Sequence, residues 1–295
     1  MTPALRERAV RFGPRQGLAG ILSTPRDARL NGPCVVIVNA GIVHHVGPNR
    51  LYVDLARTLA SEGYSVLRFD LSGLGDSDAA SGGASLSRAA LSDISAALDF
   101  LEQTRGGTSF IMCGLCSGAN HSMLTTFSDT RVVGALLIDP TVARSRRSRV
   151  LHLSRRFLHA ATWGALITLR HPMLPRALSR QRRMALAQAS QDYAERQEIT
   201  QVTAEQIRVA FEQVIARGVQ LMLVFTGGVN HVYNYRDQLF DLMPGLDFRH
   251  QLRLEFMPET DHTISDNESR AKLLRAVGDW MARCFPVSET RAVQP

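Results

Sequence analysis

Lysine is nearly missing from this chain of 295 residues: Lys272 is the only one, so every other cationic side chain is an arginine. The formal net charge is still +7. An arginine-based excess points to an acidic partner, because guanidinium forks match carboxylates and phosphates. No patterned basic footprint accompanies it, so nucleic acid is not expected as that partner. Cysteine is also scarce. Cys34, Cys113, Cys116 and Cys284 show no disulfide-framework spacing, which predicts a reducing, cytoplasmic setting. No run nears the ~20 apolar residues of a membrane span. The first eight residues carry charge but no apolar signal segment, so secretion is not expected. H-x-x-x-H pairs, metal-spaced cysteine clusters, G-x-G-x-x-G and the P-loop lysine are all missing. Neither a metal nor a nucleotide cofactor is therefore expected.

What is there is a regular alternation. The length suits one large α/β domain with an insertion. Residues 9–24 predict a hairpin about Gly13-Pro14. Cys34 to Val38 is an unbroken apolar run, as in a strand buried on both faces. A helical period follows over about 50–62, a strand over 64–69, and a helix over about 86–103. The strand from Phe110 runs into Gly114, a helix follows Gly118, and Val132 to Ile138 is a further strand. From Thr141 to about Arg217 there are only helical segments. Strands return at Gly218–Phe225 and Leu252–Met257, before a final amphipathic helix over about 268–284. Such alternation predicts βαβ units, hence a mostly parallel central sheet with helices on both faces. The core is assigned to 1–140 and 218–285, a helical lid to 141–217, and a tail to 286–295.

Gly114 and Gly118 flank Cys116 in the order G-x-C-x-G. A sharp strand–turn–helix leaves no room for side chains beside the residue at its apex. The pattern resembles the nucleophile elbow of the α/β-hydrolases, with cysteine in place of serine. Three other motifs fall in the order of that superfamily: N-A-G-I at 39–42, R-F-D-L-S-G-L-G-D-S at 68–77, and D-H-T at 261–263. The resemblance covers nearly the whole chain. The run from Gly41 to Ser77 is also similar to hydrolases found with exosortase systems and to other bacterial acyl hydrolases.

The resemblance implies an α/β-hydrolase fold and a set of roles. Cys116 becomes the nucleophile, at a helix N-terminus whose dipole favours a thiolate. Two alternatives exist: a buried inert thiol, or a redox pair with Cys113 through C-x-x-C. His262, just past the last strand, becomes the general base. Backbone N–H groups of Ile42 and Ser117 become the oxyanion hole. The orienting residue has two candidates. Relatives carry an acid after the penultimate strand, but that loop here reads T-G-G-V-N-H-V-Y, which offers Asn230; Asp139, after the preceding strand, is the other. Asp70 and Asp76 read as loop-fixing carboxylates. His44 and His45 either line the pocket or contact backbone.

Between Arg144 and Arg183 stand eleven arginines and no acidic residue. So one-sided a field recruits anions; the alternative is a solvated helical face. The expected function is acyl transfer through an acyl-cysteine, on an ester or thioester, with an acyl carrier protein or coenzyme A as donor. Cysteine variants resembling this fold include dienelactone hydrolases and acyl shuttles between carrier proteins. Hydrolysis of a small ester or lactone is the first rival, and a non-catalytic binding protein on the same fold is the second.

Overall fold

In a computed structural model, residues 5–25, 32–79, 85–158 and 204–287 are described. Strands β1 (Leu5–Phe12) and β2 (Leu18–Pro25) form the hairpin, with Gly13 at φ 70° in the turn between them. There follow β3 (Cys34–Val38), α1 (Leu51–Ser61), β4 (Val66–Phe69), α2 (Leu86–Arg105), β5 (Phe110–Leu115), α3 (Ser117–Ser128) and β6 (Val132–Ile138). Next come α4 (Arg146–Leu158), α5 (Ala204–Ala216), β7 (Gln220–Thr226), the short α6 (Gln238–Leu242), β8 (Leu252–Met257) and α7 (Asn267–Cys284). The eight strands form one sheet in the order β1-β2-β4-β3-β5-β6-β7-β8. Pairing is antiparallel from β1 through β2 to β4 and parallel from there on.

Alternate side chains of the central strands enter two separate cores, which is why these runs are apolar throughout rather than striped. Val35, Ile37, Ile111 and Cys113 pack with Leu51, Leu55 and Leu59 of α1 and with Val277 and Trp280 of α7. Cys34, Val36, Val38, Phe110 and Met112 pack on the opposite face, with Ile94 and Leu98 of α2 and Phe211 and Val214 of α5. Each such side chain contributes about 1.5–3 kcal/mol when fully buried. The helices follow from the same periodicity: Ala90, Ile94, Ala97, Leu98 and Leu101 make one buried stripe of α2. That helix ends at Gly106, whose left-handed conformation lets its N–H bond back to Glu102. At the start of α7 the Asp266 carboxylate accepts from Ser269 N.

Most of the expected lid, residues 159–203 with Trp163 and the arginines from Arg170 to Arg183, lies outside the described residues, as does the tail from 288. Its last part, α5, puts Phe211, Val214 and Ile215 into the core. Among the described residues no helix is long and apolar enough to cross a membrane.

Candidate active site

The parallel strands β3, β5, β6, β7 and β8 all end at one edge of the sheet, and the loops after them converge there. At the end of β5, Cys116 takes φ 59°, ψ −120°, a conformation that a residue with a Cβ avoids unless the surroundings enforce it. The surroundings do so. A Cβ on Gly114 would lie 2.3 Å from the Gly118 carbonyl carbon, and one on Gly118 would lie 2.4 Å from the Asn39 oxygen. Cys116 N donates to Ile138 O at 2.9 Å, and Leu115 N donates to the buried Tyr52 hydroxyl at 3.0 Å. The sulfur is thereby held out at the surface; among the four thiols Cys116 alone is exposed. Cys113, three residues earlier, lies in the core, and burial pushes its thiol up. A Cys113–Cys116 dithiol has no support in this placement.

His262 stands between Cys116 and Asp139. Its Nδ1 meets Asp139 Oδ2 at 2.7 Å. Asp139 follows β6 at φ 48° and is fully buried; Thr226 N donates to its Oδ1 at 2.7 Å and Thr226 Oγ1 to its Oδ2 at 2.6 Å. Those two donors turn the carboxylate edge toward the imidazole. Asp139, then Cys116, raise the His262 imidazole to about 10. In return the His262 imidazole holds the Cys116 thiol below its ordinary value, and the Ser117 N–H adds to this. Both shifts favour a thiolate–imidazolium pair.

Asn230 makes no hydrogen bond to His262, and its Oδ1 is buried without a partner among the described residues. The loop after β7 approaches the histidine loop closely. A Cβ on Gly228 would lie 2.5 Å from His262 N and Cβ, and one on Gly227 would lie 2.0 Å from Pro258 O. The loop after β7 packs against the histidine loop as bare backbone, and Thr226, the last residue of β7, donates to Asp139. The histidine loop is itself folded by Asp261, which accepts from Thr263 N and Oγ1 and from Ser265 N and Oγ. Bonds from Ser265, then Thr263, hold that carboxyl well below the usual range.

The turn after β3 lies opposite. Gly41 has φ 56°, Ile42 is 89% exposed, and the Ile42 N–H has no acceptor among the described residues. Gly41 N donates to Ser117 Oγ at 2.7 Å, so the two turns expected to form the oxyanion hole touch. His44 and His45, which were candidates for lining the pocket, instead tie this loop to the next. His45 Nδ1 is 2.7 Å from Asp70 Oδ2, and His44 Nε2 is 3.1 Å from Asp76 Oδ2. Asp70 also accepts from Asn39 Nδ2, His45 N and Asp76 N. Burial alone raises its pKa, but bonds from His45, Asn39 and Asp76 outweigh that and hold it low. These four side chains put ligand-type atoms within 4.8 Å of one another. Because the carboxylate of Asp70 is already saturated by protein donors, the arrangement works as a brace between loops. Spacing could not reveal it, since its members come from two segments.

Around the rim, Ser148 N donates to Ser145 Oγ, and Asn234 Nδ2 to Ser148 O, pinning the start of α4 to the loop after β7. Arg144, Arg146, Arg147 and Arg149 are exposed, and none meets a carboxylate among the described residues. Burial, and then Arg144, His152 and His262, hold His231 below the ordinary histidine value.

A mostly parallel sheet, a forced apex residue at a strand–helix turn, and a histidine–carboxylate pair beside it define an α/β-hydrolase. The chain belongs to the Hydrolase_4 family (serine aminopeptidase, S33), whose sequence model matches residues 33–270. The family is named for serine; the apex here is cysteine. Solved structures agree on the fold. An esterase of Pyrococcus furiosus is 13% identical with a TM-score of 0.58, over 95% of this chain and 91% of that one. A serine hydrolase without lid from Xanthomonas campestris is 16% identical at 0.56, over 96% and 97%. Est1E from Butyrivibrio proteoclasticus is 13% identical at 0.54, over 94% and 98%. A comparison with curated protein sequences found no match.

Proposed function

We propose that this hydrolase works through an acyl-cysteine. The observation that carries the reading is His262, held by Asp139 on one side and paired with the exposed Cys116 on the other. The Cys116 thiolate adds to the carbonyl carbon of an ester or thioester, and the carbonyl π pair moves to oxygen. The backbone N–H groups of Ile42 and Ser117 receive that charge. On collapse the bond to the leaving group breaks and the His262 imidazolium supplies its proton. The acyl-cysteine left behind is a thioester. Neutral His262 then removes a proton from water, or from a thiol or amine acceptor, and the acyl group leaves Cys116. Asp139 orients the ring and stabilises its charged form; Asn230 is the second candidate for that task.

The exposed arginines at the start of α4, which meet no carboxylate among the described residues, favour an anionic donor, a phosphate-bearing acyl carrier protein or coenzyme A, over a small neutral ester or lactone. Intact-protein mass spectrometry after incubation with acyl-coenzyme A and with 4-nitrophenyl acetate is the test. An acyl mass on Cys116 with a burst of leaving group is expected. No adduct and no burst would leave the fold as a non-catalytic binding protein.

A further inference from the structure

Gly41 N donates to Ser117 Oγ at 2.7 Å, across from the oxyanion turn to the residue just after the nucleophile. The hydroxyl has therefore accepted one hydrogen bond, and its own proton has no acceptor among the described residues. Ser117 opens α3, and its N–H helps to hold the Cys116 thiol low, after the larger effect of His262. The Ser117 hydroxyl is thus held against the Gly41 turn, next in the chain to Ile42, whose N–H is assigned to the oxyanion hole together with the Ser117 amide.

We infer that the Ser117 hydroxyl is a third, side-chain donor of the oxyanion hole, polarised by Gly41 N–H. This rests on the acyl-cysteine reading. As the thiolate–carbon bond forms and the carbonyl π pair becomes an oxyanion, Ser117 O–H donates a hydrogen bond to that oxygen and keeps its proton. The donation from Gly41 increases the acidity of the hydroxyl, so the Gly41 amide, already given to Ser117 Oγ, acts on the oxyanion through the side chain. The hydroxyl is fixed at one end before substrate arrives, which is the preorganisation such a donor needs. Ser117 is then a catalytic residue through its side chain as well as its amide.

The test separates this role from nucleophilicity. Acylation by 4-nitrophenyl acetate builds an oxyanion, whereas alkylation by iodoacetamide is a displacement at carbon that builds none. In Ser117→Ala the acylation rate constant should fall by about 10- to 100-fold, at or below the loss typical of one oxyanion donor. Alkylation of Cys116 should stay within about twofold, which also reports an intact elbow. Ser117→Thr, which restores a hydroxyl, should recover most of the acylation rate. Acylation in Ser117→Ala at or above the wild-type rate would overturn the inference, because the hydroxyl would then only fill the hole and free Gly41 N–H on removal. If the wild-type protein itself gives no acyl adduct on Cys116, the acyl-cysteine reading fails first, so the two failures are distinguishable.

Discussion

Two histidines of this molecule meet a buried aspartate through Nδ1, and by that contact alone they are twins. His45 Nδ1 meets Asp70 Oδ2 at 2.7 Å, and His262 Nδ1 meets Asp139 Oδ2 at 2.7 Å. Both carboxylates have no exposed surface. The difference is at the far side of each ring. The His45 side chain is 7% exposed and packs against His44, whereas that of His262 is 37% exposed and faces a thiol. Asp70 spends its other lone pairs on Asn39 and two backbone N–H groups, and Asp139 spends its own on Thr226 alone. A buried His–Asp contact is thus a brace by default. It becomes chemical only when the second ring nitrogen meets a nucleophile that substrate can reach.

That contrast can be broken most sharply at the nucleophile. Cys116→Ala should abolish acyl transfer and the adduct, with a melting curve close to wild type; retained turnover would sink the assignment. Next in size come the two carboxylates. Asp139→Asn should lower kcat by about 10²–10⁴, as loss of an orienting acid does. Asp70→Asn should leave the rate per folded molecule within a few fold yet cost about 3 kcal/mol of stability, because a buried charge network loses its centre. Kinetics and urea melts on both variants check the pair, and exchanged effects would mean the roles are exchanged. Asn230→Ala should change the rate less than twofold; a large loss would transfer the orienting role to it.

The pH profile is a finer probe. His262 lowers the Cys116 thiol, while Asp139 and then Cys116 raise the imidazole to about 10. The reactive ion pair therefore exists from below the ordinary thiol range up to about pH 10. The acylation rate should fall on the acid side as the thiolate gains a proton, and on the alkaline side near pH 10 as the imidazolium loses one. Removing the carboxylate in Asp139→Asn takes away what favours the cation, so the alkaline limb should move to lower pH. An unmoved limb would mean that another group titrates there.

The smallest effect expected concerns charge at the rim. Elsewhere arginines meet carboxylates: Arg131 reaches Asp129, Asp99 and Glu102, and Arg68 with Arg57 reaches Glu7. Arg144, Arg146 and Arg149 have no such partner among the described residues. Their field is screened beyond ~8 Å at physiological ionic strength. Turnover on acyl-coenzyme A should thus drop with added salt, and in a variant with these three changed to glutamine, while turnover on 4-nitrophenyl acetate holds steady. Equal salt dependence for both substrates would return the arginines to a solvated face.

Most of the sheet was legible because a strand buried on both faces leaves an unmistakable record, as at Cys34 to Val38. The apex was legible for a similar reason: glycines at 114 and 118 are the mark of backbone packed against backbone. The orienting residue was not. Asp139 and Asn230 both follow a strand, and only the third dimension puts His262 Nδ1 2.7 Å from Asp139 while giving it no bond to Asn230. Tyr52 was hidden altogether, since its place in the apolar stripe of α1 looks like packing and its hydroxyl's partner is 63 residues away. Asp70 and Asp76 were legible as loop-fixing carboxylates, but their partners His44 and His45 were not, because no local spacing encodes a contact between two segments.

The frame around residue 116 has a further consequence. It is made of main-chain contacts, Gly114 on Gly118 and Gly118 on Asn39, with the Tyr52 hydroxyl on Leu115 N, and none of them touches the side chain at the apex. Oxygen or sulfur can occupy that socket without rebuilding it. In the proposed reaction the choice sets the group-transfer potential of the intermediate: a serine would lower the acyl group to the level of an ordinary ester, whereas cysteine keeps it as a thioester, still activated toward thiols and amines. A single-atom exchange on an indifferent scaffold thus separates an enzyme that ends a reaction in water from one able to carry the acyl group onward.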